Sequence, residues 1–260
     1  MAYEFIKLSF RDDTAVLEMN RKHEMNALSY GMLKEIDHAF THSLGRDSQV
    51  RLVVLTGGDE CFSAGMDIKE FSGCSNEEVK RYFNTYMDVY TRLMEYEKIL
   101  IAAVSGIAFG GGFNLALMGD FIIASESAIF GHPEIKYGFN PMLTPLVSRI
   151  GMAKSKEMAF RGEPVGAREA LDMGLVNSIV SPEGFREEVN TWADEFSRRP
   201  SDVVRALKRA FDVVTRLDAR AAIEYEMEMT AILINSRPDI REKLKGFSGR
   251  SKRSGGDHTD

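Results

Sequence analysis

Ile101-Ala-Ala-Val-Ser-Gly-Ile-Ala-Phe-Gly-Gly-Gly-Phe-Asn-Leu-Ala-Leu-Met-Gly-Asp120 is the stretch on which the fold turns. An apolar, strand-like run enters three consecutive glycines, and a helical pattern starts at once. Glycines let a backbone approach a ligand closely, and the first turn of a helix presents unpaired N–H groups carrying partial positive charge. Such a corner suits an anion or a developing oxyanion. What it serves depends on the acids and bases around it.

On either side the chain alternates strands and helices. Ile6–Phe10 and Thr14–Met19 read as strands around the turn at Arg11–Asp13, and Tyr30–Ser43 as a helix with Met32, Leu33, Ile36, Ala39 and Phe40 on one face. Arg51–Thr56 is a buried strand closed by Gly57-Gly58. Ser75 with Glu78 three residues on forms a capping-box signal for a helix carried by Val79, Phe83, Met87, Tyr90 and Met94. Ile101–Val104 and Phe121–Ala124 are further strands. The alternation predicts an α/β core with much parallel pairing.

After Pro145 the pattern is nearly all helical. Ser181-Pro182 starts one helix and Arg199-Pro200-Ser201 another, the latter with Val204, Leu207, Ala210, Phe211 and Val214 at helical spacing. Ala222–Ile234 follows with Ile223, Met227, Met229, Ile232 and Leu233. The expected division is a core over 1–198 and a helical region over 199–260, whose late apolar faces have little core left to cover and read as subunit contacts.

Composition narrows the function. A 260-residue chain can bury a large core, and its net charge of −6 gives no electrostatic ground for a nucleic-acid partner. The basic cluster Lys245, Arg250, Lys252 and Arg253 reads as a solvated tail. Two cysteines, Cys61 and Cys74, make no disulfide framework, and the start lacks the apolar core of a signal peptide. A cytoplasmic protein with no membrane partner is expected.

Several familiar chemistries are absent. Gly106 and Gly110–Gly112 do not form G-x-G-x-x-G, no P-loop occurs, and Ser105 lacks the glycine two residues earlier that a nucleophile elbow needs. His132-Pro-Glu134 matches half of a zinc-deaminase signature without the P-C-x-x-C half. His38 and His42 share a helix face with no third ligand evident, so no metal is expected.

Cys61-Phe-Ser-Ala-Gly-Met-Asp-Ile-Lys-Glu70 is the second informative stretch: a strand exit, a glycine, then a helix start near Met66 and Asp67. In one reading it is a plain connection with Asp67 near the N-cap. In the other, Met66 N–H joins an N–H of the triple glycine as a second oxyanion donor. With His132-Pro-Glu134 downstream, the ordered set is specific. Phe62–Glu70, Gly106–Asp120, Phe130-Gly-His-Pro-Glu134, Arg149-Ile-Gly151, Arg161-Gly162, Ala167–Ala170 and Gly174-Leu-Val176 together resemble the enoyl-CoA hydratase/isomerase (crotonase) superfamily over nearly the whole chain.

That resemblance implies a spiral of ββα turns with a C-terminal helical trimerisation region, the chain associating with itself as trimers or dimers of trimers. It implies an acyl-CoA thioester as substrate, with coenzyme A part of that substrate and no separate cofactor. The carried-over oxyanion donors are the N–H groups of Met66 and Gly111. Acyl-CoA contacts fall on Ala64, Asp67, Ile68, Lys69 and Gly110, and, toward the C-terminus, on Phe247 and Arg250. Asp67 and Lys136 also read as capping or surface residues.

The acid/base pair departs from the hydratases, which carry a glutamate two residues after the triple glycine and another in the Pro-Glu segment. This chain has Asn114 and Glu134 at those positions. Asn114 can orient a water but cannot take its proton, whereas one carboxylate suffices to move a proton between two carbons of an enolate. Double-bond isomerisation by Glu134 is therefore the favoured expectation. Hydration, decarboxylation or hydrolysis of a specialised acyl-CoA, and non-catalytic acyl-CoA binding, stand as alternatives. Gly138–Thr144 lacks the usual glycine-rich run, and Tyr137, Asn140 and His132 are polar groups available to an unusual acyl group or to packing.

Overall fold

The computed structural model describes residues 3–45 and 49–240. Contacts divide the chain into two compact units that meet between Arg198 and Arg199. Phe247 and Arg250 lie outside the described residues.

The first unit holds the strands β1 (Ile6–Arg11), β2 (Thr14–Met19), β3 (Leu52–Thr56), β4 (Ile99–Val104), β5 (Ile107–Phe109), β6 (Phe121–Ser125), β7 (Ile129–Gly131), β8 (Val165–Gly166) and β9 (Ser178–Val180). Six form one sheet in the order β1-β2-β3-β4-β6-β9, and β5-β7-β8 form a second, smaller one. The β1–β2 hairpin is antiparallel, with Asp12 at its tip in the left-handed region, and every later pairing in the large sheet is parallel. All residues of β3 and β4 are buried, which is why these segments read as unbroken apolar runs rather than alternations.

The helices of this unit are α1 (Tyr30–His38), extended by one π turn at Ala39–Ser43, α2 (Ile68–Ser72), α3 (Asn76–Met94), α4 (Gly110–Leu117), α5 (Thr144–Arg161), α6 (Ala167–Asp172) and α7 (Phe185–Ser197). A strand of the large sheet, a strand of the small sheet and a helix follow one another: β4, β5, α4, and then β6, β7 and the 3-10 turn Pro133–Tyr137. An isolated bridge between Ser63 and Ala108 ties the preceding turn to the small sheet. This is the ββα repeat the resemblance implied.

Four local readings need correction. The apolar run does not pass straight into the helix: Gly106, at φ 62°, turns the chain out of the large sheet after Val104 and into β5. The three glycines are themselves the first turn of α4. The region after Pro145 is not all helical, since β9 closes the edge of the large sheet. Ser181-Pro182 lies in a turn rather than at a helix start; Ser181 Oγ accepts the Gly184 N–H, and α7 begins at Phe185.

The buried face of α3 is also differently phased. Its capping box is present, Ser75 Oγ accepting from the Glu78 amide while the Glu78 carboxylate accepts from the Ser75 N–H. Tyr82, Tyr86, Val89, Tyr90 and Leu93 face inward, and Phe83, Met87 and Met94 are exposed. Tyr82 and Tyr86 suit the interior because each joins an apolar ring to a hydroxyl that finds a polar partner there. The Tyr82 hydroxyl, for example, donates to the Leu28 carbonyl at 2.8 Å.

The second unit contains α8 (Ser201–Val214) and α9 (Ala219–Ser236). Asp218 caps α9 by accepting from the amides of Arg220 and Ala221. Leu207, Phe211, Ile223, Met227 and Ile232 are exposed on this pair. Among the described residues no helix is long and apolar enough to cross a membrane.

Candidate active site

The site is assembled from three loops and one helix of the first unit. The first loop is organised by Asn26, fully buried and at φ 50°. Its side-chain amide donates to the carbonyls of Gly57 and Cys61 at 3.0 and 2.8 Å, and its own carbonyl accepts from Ser63 Oγ at 2.8 Å. The same amide's oxygen accepts the Arg21 N–H. These bonds hold 21–28 against 57–65.

Leu28 then pairs with Met66 in a single parallel bridge. The bridge consists of Leu28 N–H donating to Gly65 and Asp67 N–H donating to Leu28. A parallel bridge of this pattern leaves the N–H of the middle residue, Met66, pointing away from Leu28. Gly65 sits at φ 96°, and a Cβ there would lie 2.7 Å from the Phe109 carbonyl and 3.3 Å from the Gly111 nitrogen. The Met66 and Gly111 backbones are thus brought side by side, and only a glycine at 65 permits it.

Gly111 is the second residue of α4, so its N–H has no partner within the helix. A Cβ on Gly111 would stand 3.0 Å from the Tyr86 hydroxyl oxygen and 3.2 Å from Leu28 Cδ1; the residue is glycine because the phenol of α3 occupies that space. The two amides come from different loops whose backbones meet at Gly65, and one of them stands at a helix N-terminus. That arrangement can stabilise negative charge on a bound carbonyl oxygen.

Glu134 enters from the 3-10 turn after β7, with Pro133 at its start and Gly138 in the left-handed conformation closing it. The residue is 8% exposed. Oε1 lies 3.4 Å from His132 Nδ1, and 3.0 Å from where a Cβ of Gly110 would be. Oε2 is buried without a hydrogen-bond partner. His132 is fully buried, its ring 4.8 Å from that of Phe113. The carboxylate is therefore packed against the same helix turn that carries the Gly111 amide.

Asn114, one turn further along α4, is 3% exposed. Its Nδ2 donates to the Tyr86 hydroxyl at 3.3 Å, and its Oδ1 has no partner. Tyr86 is buried, which pushes its phenol up to about 12; the nearby Glu134 charge pushes the same way, and the Tyr90 and Asn114 side chains pull against it. The hydroxyl is neutral at physiological pH. Burial likewise raises Tyr90, whose ring lies 4.8 Å from that of Tyr86.

The remaining expected binding residues lie on the rim. Asp67 caps α2 by accepting the Glu70 amide and pairs with Arg21 at 2.8 Å. Burial would raise its pKa, but these partners hold it below the usual carboxylate range. Its side chain is thereby committed within the loop. Ala64 is half-buried, and Ile68 and Lys69 are exposed at the start of α2. Lys136 pairs with Glu163 at 2.8 Å, and Tyr137 and Asn140 are exposed. His38 and His42 are neighbours whose rings lie 4.4 Å apart, and His38 hydrogen-bonds Tyr3.

The structure thus brings Met66, Gly110, Gly111, Asn114 and Glu134 together, and adds Tyr86 and Asn26, which sequence reading did not single out, and Tyr90, which it placed only on the apolar face of a helix. A signal for the tyrosines exists: Tyr82, Tyr86 and Tyr90 recur every fourth residue, a helix-face spacing.

Comparison with known proteins gives a consistent result. The enoyl-CoA hydratase/isomerase family model matches residues 10–254. A crotonyl-CoA hydratase of Syntrophomonas wolfei is 34% identical over 97% of this chain and 98% of its own length. The crystal structure of an enoyl-CoA hydratase from Bacillus anthracis superposes with a TM-score of 0.88 at 28% identity, covering 95% of this chain and 97% of that one. A structure from Thermobifida fusca in complex with CoA superposes with a TM-score of 0.82 at 25% identity, over 89% of this chain and 93% of that one.

Proposed function

The chain belongs to the enoyl-CoA hydratase/isomerase family, and from that premise we propose that it shifts the double bond of an enoyl-CoA thioester, with Glu134 as the single proton carrier. The observation that carries the reading is the amide at 114. Beside the paired backbone N–H groups stands one carboxylate, Glu134, while the other side chain reaching the site from α4 is Asn114.

The chemistry follows from that pairing. The thioester oxygen of a 3-enoyl-CoA accepts from the N–H groups of Met66 and Gly111. The Glu134 carboxylate removes a proton from the second carbon, and the released electron pair spreads onto the thioester oxygen as a dienolate. Fixed amides aimed at that oxygen lower the barrier by about 3–4 kcal/mol per donor. Glu134, now protonated, returns the proton to the fourth carbon, and the double bond comes to rest between the second and third. One proton leaves and one returns, so no second base is required.

Hydration is the second reading, favoured by the names of relatives such as the crotonyl-CoA hydratase. The unpaired Asn114 Oδ1 and Glu134 Oε2 are both acceptors and can orient a water between them. Glu134 would then have to act alone as base toward water and as acid toward carbon.

Incubation with a 3-enoyl-CoA and with crotonyl-CoA in parallel, wild type beside Glu134→Gln, separates the two by product mass. Isomerisation predicts conversion of the 3-enoyl ester without change of mass, falling at least about 100-fold in the variant. Gain of water on crotonyl-CoA replaces this assignment with hydration. Binding of both esters without turnover by the wild type supports neither.

A further inference from the structure

His132 is fully buried, and neither of its ring nitrogens makes a hydrogen bond among the described residues. The proton transfer described above gives it no part. A buried polar group without a partner costs stability, so packing alone does not account for an imidazole here. An apolar ring would fill the same space against Phe113, 4.8 Å away between ring centroids, without that cost.

What the imidazole faces is the carboxylate two residues on. Nδ1 stands 3.4 Å from Glu134 Oε1, and among the described residues no cationic side chain pairs with that carboxylate. Pro133, Gly138 and the Phe139 N–H, which donates to the Glu134 carbonyl at 3.2 Å, fix the backbone of the turn but not the side chain. Proton transfer needs the carboxylate held within hydrogen-bond reach of the reacting carbon, and a loose side chain forfeits that. A proton on Nδ1 makes the meeting with Oε1 attractive, whereas a bare Nδ1 would set its lone pair against the carboxylate; the neighbour therefore selects the Nδ1–H tautomer. A separation of 3.4 Å is long for such a bond, as catalytic hydrogen bonds in unliganded sites often are.

Resting on the reading of Glu134 as the proton carrier, we propose that His132 is a positioning residue whose Nδ1–H holds the Glu134 carboxylate in place for proton transfer. Its ring packs on Phe113, a residue of α4, so the base is tied to the same helix that carries the Gly111 amide. Base and oxyanion donor then keep their spacing, which isomerisation and hydration both require. The unpaired imidazole lowers stability and in return fixes the reacting group.

Donor and ring can be removed separately. His132→Phe keeps a ring and loses the donor; His132→Asn drops the ring and leaves an amide N–H at the reach of Nδ1. Butyryl-CoA in heavy water serves both reactions: Glu134 removes a proton from the second carbon, the electron pair moves onto the thioester oxygen, and a deuteron gained from solvent is returned, read as a gain in mass. Exchange rate, butyryl-CoA affinity by titration calorimetry and thermal melting are measured on both variants, beside wild type and Glu134→Gln. His132→Phe is expected to exchange about 10- to 100-fold more slowly, with affinity within about a factor of two of wild type and melting no lower. His132→Asn is expected to melt lower and yet keep most of the exchange rate. A packing role gives the opposite order, with rate following melting temperature, and that order overturns the proposal. So does a His132→Phe rate equal to wild type; His132→Leu, also without a donor, replaces it should that variant not fold. Absence of exchange in the wild type, or exchange undiminished in Glu134→Gln, removes the proton-carrier reading itself and is thereby distinguished from failure of the positioning role.

Discussion

At the scale of single residues, the site depends on positions where nothing larger fits. Gly65 combines a left-handed φ of 96° with a Cβ position 2.7 Å from the Phe109 carbonyl. A Gly65→Ala chain must strain its backbone and push the Met66 loop off the start of α4. The strain costs about 1–3 kcal/mol, and misplacement of one oxyanion donor lowers turnover about 100- to 1000-fold. Steady-state kinetics beside a thermal melt checks this: a folded variant whose kcat stays within a few-fold of wild type would remove these two amides from the chemistry. Gly65 was legible as part of the motif. Its reason, the approach of residue 109 from another turn of the spiral, was not, because that contact spans the fold.

At the scale of elements, α3 shows how a helix face is chosen. Hydropathy favours Phe83, Met87 and Met94 as the buried stripe, yet the tyrosines every fourth residue face inward. The Tyr82 hydroxyl meets a carbonyl and the Tyr86 hydroxyl a side-chain amide, both of which an apolar residue would leave unpaired. Burial raises the phenols of Tyr82, Tyr86 and Tyr90 above their ordinary value of 10.0. A folded-state pKa above the unfolded one means that the unfolded chain releases protons first as pH rises. The associated stability is complete below pH about 10 and is lost as pH climbs through the raised values. Absorbance titration of tyrosinate should show a cooperative phase at high pH, from Tyr82, Tyr86 and Tyr90, coincident with loss of helical circular dichroism. A single non-cooperative transition near pH 10, with the fold intact, would contradict the enclosure of these rings. The capping box of the same helix, by contrast, was readable from Ser75 and Glu78 alone, since both partners lie within one turn.

At the scale of the whole molecule, the apolar residues left exposed on α8 and α9 keep self-association as a proposal. Leu207, Phe211 and Ile223 are among them. Exposed apolar area of this kind marks contact surfaces. Sedimentation equilibrium is expected to give a mass three or six times that of the 29.1 kDa chain. Replacing Phe211, which is 72% exposed, by Arg is expected to shift that distribution toward single chains with little change in the melting of the isolated subunit. A monomeric wild type would end the idea.

The sequence by itself determined what local spacing can encode. The strand runs, the Ser75 cap, the helix start at Asp67 and the triple glycine each rest on residues a few positions apart. The ordered motifs were enough to identify the family and to bring Met66, Gly111, Asn114 and Glu134 forward. What only the tertiary structure decided is the set of contacts between distant segments. Asn26 bonds residues 31 to 37 positions away, Tyr86 meets Asn114 across 28, and β5 leaves the large sheet to pair with β7 and build the small one. Period and composition describe one element at a time. The side of a helix that turns inward, and the polar group that finds a partner there, are set by what the rest of the chain places against it.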